Sequence, residues 1–203
     1  MLTKMSVDEA GENTHRLKIF ARLKPVIEAE IMELERAYRE RRLSAIAWTA
    51  RNLLELYVWT NYCCASEDNA KTFDEDSARD VVDLMKIAHL LETVEAQSYL
   101  LARTKIITDA KAGGFQSIDD GYLRVSAAAE SFGFGDIFKM ANKALSKFAH
   151  PSALLMVVQG GAIGKILVNG VPAEEAIRQE FYDGARHFAE SALNAIKDFC
   201  ETH

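Results

Sequence analysis

The chain is short of prolines, of usefully spaced cysteines and of positive charge. Three prolines and eleven glycines in 203 residues leave few places where a helix is forced to stop. Cys63 and Cys64 are adjacent, which is the spacing of neither a metal knuckle nor a redox Cys-x-x-Cys, and Cys200 stands alone. An odd cysteine count behind a polar amino terminus, MLTKMSVDEAGENTH, with no apolar signal core, fits a reducing, cytoplasmic setting.

Positive charge is also scarce. Thirty acidic against 24 basic side chains give a formal charge of −6, which argues against a general nucleic-acid binder with a broad basic face. The densest basic run, RERR (Arg39–Arg42), is expected at a helix end, where cations complement the dipole. The most apolar stretch, PSALLMVVQGGAIGKILVNG, carries Gln159, Lys165 and four glycines. It falls short of the roughly 20 apolar residues of a membrane span and reads as core material.

Metal and cofactor signatures are missing as well. Ferritin-like bundles place a histidine three residues after a glutamate. Here the order is reversed in HLLE (His89–Glu92) and HFAE (His187–Glu190), Asp183 and His187 stand alone four apart, and HExxH is absent. GGAIG (Gly160–Gly164) has no strand pattern before it and no Gly-Lys-Ser/Thr, so it is not a phosphate loop. No metal and no cofactor are expected.

What is present is helical pattern, with 49% of residues in the broad hydrophobic class to supply a core. Leu17, Phe20, Leu23, Ile27, Ile31, Leu34 and Tyr38 recur at spacings of three and four, predicting a helix over 14–41 that Pro25 kinks or divides. Ser44 is placed to cap a second helix reaching Ala65, apolar on nearly every side and so suited to the centre of a bundle or a subunit interface. Its few polar members, Arg51, Asn52, Glu55 and Asn61, gain weight for that reason.

FDEDSARD (Phe73–Asp80) reads as the acidic start of a third helix, with Val81, Leu84, Met85, Ala88, Leu91, Val94 and Leu101 on its buried side. Ala112–Gly114 predicts a stop, and residues 117–131 a short helix or connection. A helix capped by Asp136 is expected to run to Ala149, and another to follow Pro151. Asn169-Gly170 marks a turn and Pro172 the start of the last helix. The pattern as a whole predicts an all-α antiparallel helical bundle of about five to seven helices, a single domain over 14–203 behind a flexible segment 1–13.

Two constellations can carry chemistry. In NKALSKFAHPSALLM, Lys139, Lys143, Ser146 and His150 line one helix face, and Pro151 pushes His150 out of helical geometry to the helix end. A histidine there can act as a general acid or base, or lock a terminal carbonyl or a neighbouring carboxylate. Arg51 and Glu55, four apart, can pair across one turn. In so apolar a helix both need partners, so Arg51 can hold a phosphate or carboxylate and Glu55 can orient a histidine, or the two can form a structural pair.

On ARNLLELYVW and KALSKFAHPSALLM together, the chain resembles the DUF5677 type of uncharacterised helical protein. Its members carry Arg-x-x-x-Glu on an early helix and Leu-Ser-x-x-x-His-Pro later. Such proteins are similar to the HEPN superfamily, helical-bundle domains that often dimerise and often serve as toxins or antiviral defence factors. The resemblance implies metal-free RNA cleavage by an Arg-x(4–6)-His motif shared between two subunits.

Residue by residue, the histidine falls on His150. The arginine does not carry over, and only Lys143 supplies a cation at an allowed spacing. Arg51 replaces it if it packs beside His150 from another helix. The implied site is then His150 moving the proton, Arg51 and Lys143 stabilising phosphoryl charge, and Glu55 orienting the histidine. The competing expectations are a non-enzymatic protein-binding or antitoxin-like module, and a small anionic ligand held beside Arg51 in the bundle core. Partners expected are a second copy of the chain, and RNA or a partner protein.

Overall fold

A computed structural model of the chain describes residues 14–89, 101, 104–105, 107–109, 111–112, 122–150, 152–159 and 167–202. The segment 1–13, the Ala112–Gly114 stop beyond Ala112 and the GGAIG glycines lie outside the described residues. The fold is an all-α multi-helix bundle. Its elements are α1 (Thr14–Arg39), α2 (Leu43–Ala65), α3 (Glu67–His89), α4 (Val125–Ser131), α5 (Gly135–Ala149), α6 (Ala153–Gln159), the two-residue strands β1 (Leu167–Val168) and β2 (Val171–Pro172), and α7 (Ala173–Thr202).

α2 is the hub, packed against α1, α3, α4, α5 and α7. Its all-round apolarity accounts for this: Ile46, Ala47, Leu53, Leu54, Val58 and Cys63 are fully buried, because neighbours cover it from several sides. α7 lies against it through Ala185, Ala189 and Ala192, whose small side chains let the two backbones approach closely. One apolar cluster draws on every helix from α1 to α7.

α1 runs unbroken through Pro25, so the expected division does not occur. Pro25 and Ala21 are both exposed, so the carbonyl that loses its hydrogen bond can turn to water. The helix closes on a Schellman turn, with Arg42 N donating to the Ala37 carbonyl, Arg41 N to that of Tyr38, and Arg41 at φ 56°. The RERR run therefore sits at a helix end, as its charge suggested.

Three start signals are corrected. α2 begins one residue before Ser44, after Arg42, which makes no side-chain cap. α5 begins at Gly135 after Phe134, so Asp136 lies in the first turn instead of capping it. α3 starts at Glu67, where Ser66 Oγ accepts from Asn69 N at 3.1 Å.

FDEDSARD is consequently helix interior. Asp74, Glu75 and Asp76 are all buried, and Asp74 receives His15, Lys18 and Arg22 from α1. These three basic residues share one face by their spacing, so the acidic run fastens α3 to α1 instead of serving a helix dipole. Leu101, assigned to the buried side of that helix, is 74% exposed. The side chains of Val81, Leu84, Met85 and Ala88, and the residues Leu91 and Val94, lie outside what is described.

β1 and β2 pair antiparallel, Leu167 with Pro172 and Val168 with Val171. Asn169 and Gly170 both take positive φ, 52° and 81°, as a two-residue type I′ hairpin requires. The Asn-Gly turn was expected; the strands around it were not.

A polar ladder then joins α1 to α7. Arg41 pairs with Glu175 at 2.6 Å, Tyr38 donates to Gln179, and Glu35 accepts from Tyr182 Oη and Arg186, both at 2.8 Å. Beneath it Arg178 is 3% exposed and is held by Glu175 and Glu174. Sequence reasoning missed this buried arginine, which looks like one more polar residue on an amphipathic helix.

The adjacent cysteines close the α2 core. Burial, with the neighbouring thiol adding to it, pushes Cys63 up to about 12, and burial pushes Cys64 up to about 11. A thiol reagent at neutral pH is therefore expected to label exposed Cys200 and spare Cys63 until the chain unfolds. The same shift makes alkali destabilising. Above pH 9 the unfolded chain releases the Cys63 proton while the folded chain keeps it, so the unfolded state gains. Urea midpoints should record a loss of about 1 kcal/mol between about pH 9 and 10 from this thiol, absent in Cys63→Ala.

Candidate functional site

Trp48 lies three and four residues before Arg51 and Asn52, and Glu55 four and three after them, so the four share a face of α2. This face meets the carboxyl-terminal half of α5. All three nitrogens of the Arg51 guanidinium are engaged there. Nε donates to Asn142 Oδ1 at 2.9 Å, one terminal nitrogen approaches His150 Nε2 at 3.4 Å, and the other pairs with Glu55 Oε1 at 3.2 Å. A guanidinium only donates, so in this contact Nε2 is the acceptor and the imidazole proton sits on Nδ1.

The cluster lies near the surface. Arg51 and Glu55 are 28% and 31% exposed and His150 is exposed, so the ion pair is half-buried where the apolar character of α2 suggested a deeply buried one. Glu55 pairs with Arg51 and makes no hydrogen bond to His150 among the described residues. Glu55 is one helical turn from Arg51, and the guanidinium stands between it and the imidazole.

His150 is the residue after α5, with extended backbone at φ −106° and ψ 153°. The following proline biases it to that region. Ser152 secures the corner: its hydroxyl donates to the Lys147 carbonyl of α5 and accepts from Leu155 N at 3.1 Å, capping α6. Trp48 closes the other side, its ring perpendicular to the imidazole with centroids 5.6 Å apart.

The polar stripe of α5 divides. Lys139 is drawn away by Glu130, at 2.6 Å. Lys143 is exposed and makes no hydrogen bond or ion pair among the described residues. The structure therefore brings Arg51, Glu55 and His150 together and leaves Lys143 as a loose cation on the same helix. Asn142 and Ser152 were missed. Asn142 precedes Ser146 by four residues and lies on the stripe's edge, and Ser152 stands directly before an apolar run, which is a cap signal.

Beside the cluster, Glu30 accepts from Asn52 Nδ2 at 3.2 Å. Burial holds its carboxyl above the usual range, with the charge of Glu33 adding to it and the Asn52 hydrogen bond opposing. Among the described residues, no group of three or more His, Cys, Asp or Glu side chains is arranged to hold a metal ion, and no helix is long and apolar enough to cross a membrane. Comparison with family models, with curated proteins and with solved structures found no match to the chain.

Proposed function

We propose that the chain is a metal-independent ribonuclease of the kind found among HEPN-like toxins and phage-defence factors. The observation that carries this reading is the approach of Arg51 to an exposed His150, 3.4 Å apart across two helices. It supplies, from α2, the arginine missing from the local motif before His150.

The chemistry needs a proton carrier and a fork of donors at one phosphate. Once Arg51 turns its donor from Nε2 to the phosphate, His150 takes the proton of the RNA 2′-hydroxyl on Nε2 as O2′ bonds to phosphorus. The bond from phosphorus to O5′ breaks, and the imidazolium returns the proton to O5′, leaving a 2′,3′-cyclic phosphate. Arg51 donates to the phosphoryl oxygens as their charge grows, and Lys143 adds a mobile point charge. Glu55 and Asn142 act through Arg51, fixing the plane of its fork.

A second reading, a non-enzymatic protein-binding or antitoxin-like module, is favoured by a different observation. Ile137 and Met140 of α5 and Met156 and Val157 of α6 are each close to half exposed or more, on the two helices that flank His150. A second copy of the chain, or another protein, would cover them. The test is cleavage of RNA in EDTA by wild type and His150→Ala, both confirmed folded. Loss in the variant supports the nuclease. Equal activity, or none in either, removes it and leaves the binding module.

A further inference from the structure

Trp48 also walls a groove of about 420 Å³ between α1 and the start of α2, lined as well by Glu30, Glu33, Arg36, Arg42, Thr49 and Ala149. The volume lies within the roughly 300–1,000 Å³ of small-molecule sites. Trp48 and Ala149 make the groove continuous with the Arg51–His150 cluster.

The indole is suited to stacking. It is 47% exposed, and its contact with the imidazole is perpendicular, at 86° between planes. Whichever ring supplies the edge, at least one indole face stays clear of His150. A nucleobase can lie on that face, as bases do on aromatic platforms of single-strand binders.

The polar groups beside it distinguish between bases. Asn52 takes one lone pair of Glu30 Oε1, and Oε2 has no hydrogen bond among the described residues, so both oxygens can still accept. A carboxylate offers only acceptors. Guanine alone among the four RNA bases presents two adjacent donors, N1–H and the N2 amino group, along its pairing edge. Adenine and cytosine present one donor beside an acceptor there, and uracil one donor between two acceptors. Guanine also carries the acceptor pair O6 and N7, which guanidinium groups match. Arg36 and Arg42, each about half exposed, line the same groove.

We infer that this groove is a guanine subsite, holding the base whose 3′-phosphate lies at Arg51 and His150, so that RNA is cut on the 3′ side of guanosine. The assignment deepens the ribonuclease reading and rests on it for the position of the cut, but not for the recognition of the base.

Guanosine 3′-monophosphate and adenosine 3′-monophosphate, titrated into the full chain by calorimetry, test it. The guanine nucleotide should bind about 10-fold or more tightly than the adenine one. Glu30→Gln should erase that preference while leaving adenine binding unchanged, since one carboxylate oxygen becomes a donor. Trp48→Ala should weaken both by about 10- to 100-fold, and Trp48→Phe should restore most of the loss. Equal binding of the two nucleotides by wild type, or a preference untouched by Glu30→Gln, overturns the subsite.

RNA cleavage in EDTA separates the two readings. Guanine-selective binding without any cleavage keeps the subsite and ends the nuclease. Cleavage after all four bases alike, with equal nucleotide binding, keeps the nuclease and ends the subsite.

Discussion

Removing the His150 imidazole is expected to slow metal-free RNA cleavage by about 10²- to 10⁴-fold, the share that a positioned acid–base group contributes. His150→Ala is a fair probe because the residue is exposed and lies just past α5, so its loss opens no cavity in the core. Arg51 would remain held by Glu55 and Asn142, and the phosphate-binding fork would survive. The expected signature is a fall in kcat with KM little changed. A fall in affinity alone would make His150 a binding group.

Arg51→Lys completes the argument. It keeps the charge but loses the planar fork that meets Asn142, Glu55 and the phosphate together, and should cost about 10²-fold or more. Glu55→Gln leaves Arg51 less firmly held and acts as a positioning change. It should lower kcat several-fold and lose its effect in the Arg51→Lys background. An unchanged effect there would mean that Glu55 works by another route.

The largest effect on stability is expected at the centre of α2. Leu53 and Leu54 are fully buried on the helix that touches α1, α3, α4, α5 and α7. Truncating either to alanine removes apolar contacts from several helices at once and leaves a cavity they cannot all close. Leu53→Ala should cost about 3–5 kcal/mol, read as a lower urea midpoint at unchanged slope. Met32→Ala, at a position 66% exposed on α1, should stay within about 0.5 kcal/mol. A loss at Leu53 no larger than at Met32 would mean that α2 is not the hub.

The helices were legible wherever the apolar period was long and clean. The α1 stripe led to the right face, and the all-round apolarity of α2 led to its central place. Helix starts were less legible, because an acidic run signals a helix beginning only when it is exposed. Asp74 attracts three cations from α1, a tertiary fact that local sequence cannot separate from a dipole effect.

The site divides in the same way. The Arg51–Glu55 pair follows from spacing on one helix. The approach of Arg51 to His150 spans 99 residues of chain, and no periodicity encodes it; only the family resemblance raised it as a condition. Asn142 escaped notice because an amide on a helix surface looks alike whether it faces solvent or a guanidinium.

The ladder between α1 and α7 bears on how the chain is made. Its partners are separated by 134 to 151 residues, and α7 is the helix whose alanine face covers α2. On a ribosome adding roughly 5–20 residues per second, the 108 positions from Ala65 to Ala173 take about 5 to 20 s. For about that long after it leaves the exit tunnel, the apolar hub helix lacks the α7 face that covers it. Newly made chains should therefore depend on chaperones that shield apolar helices, and α2 is the segment they would hold.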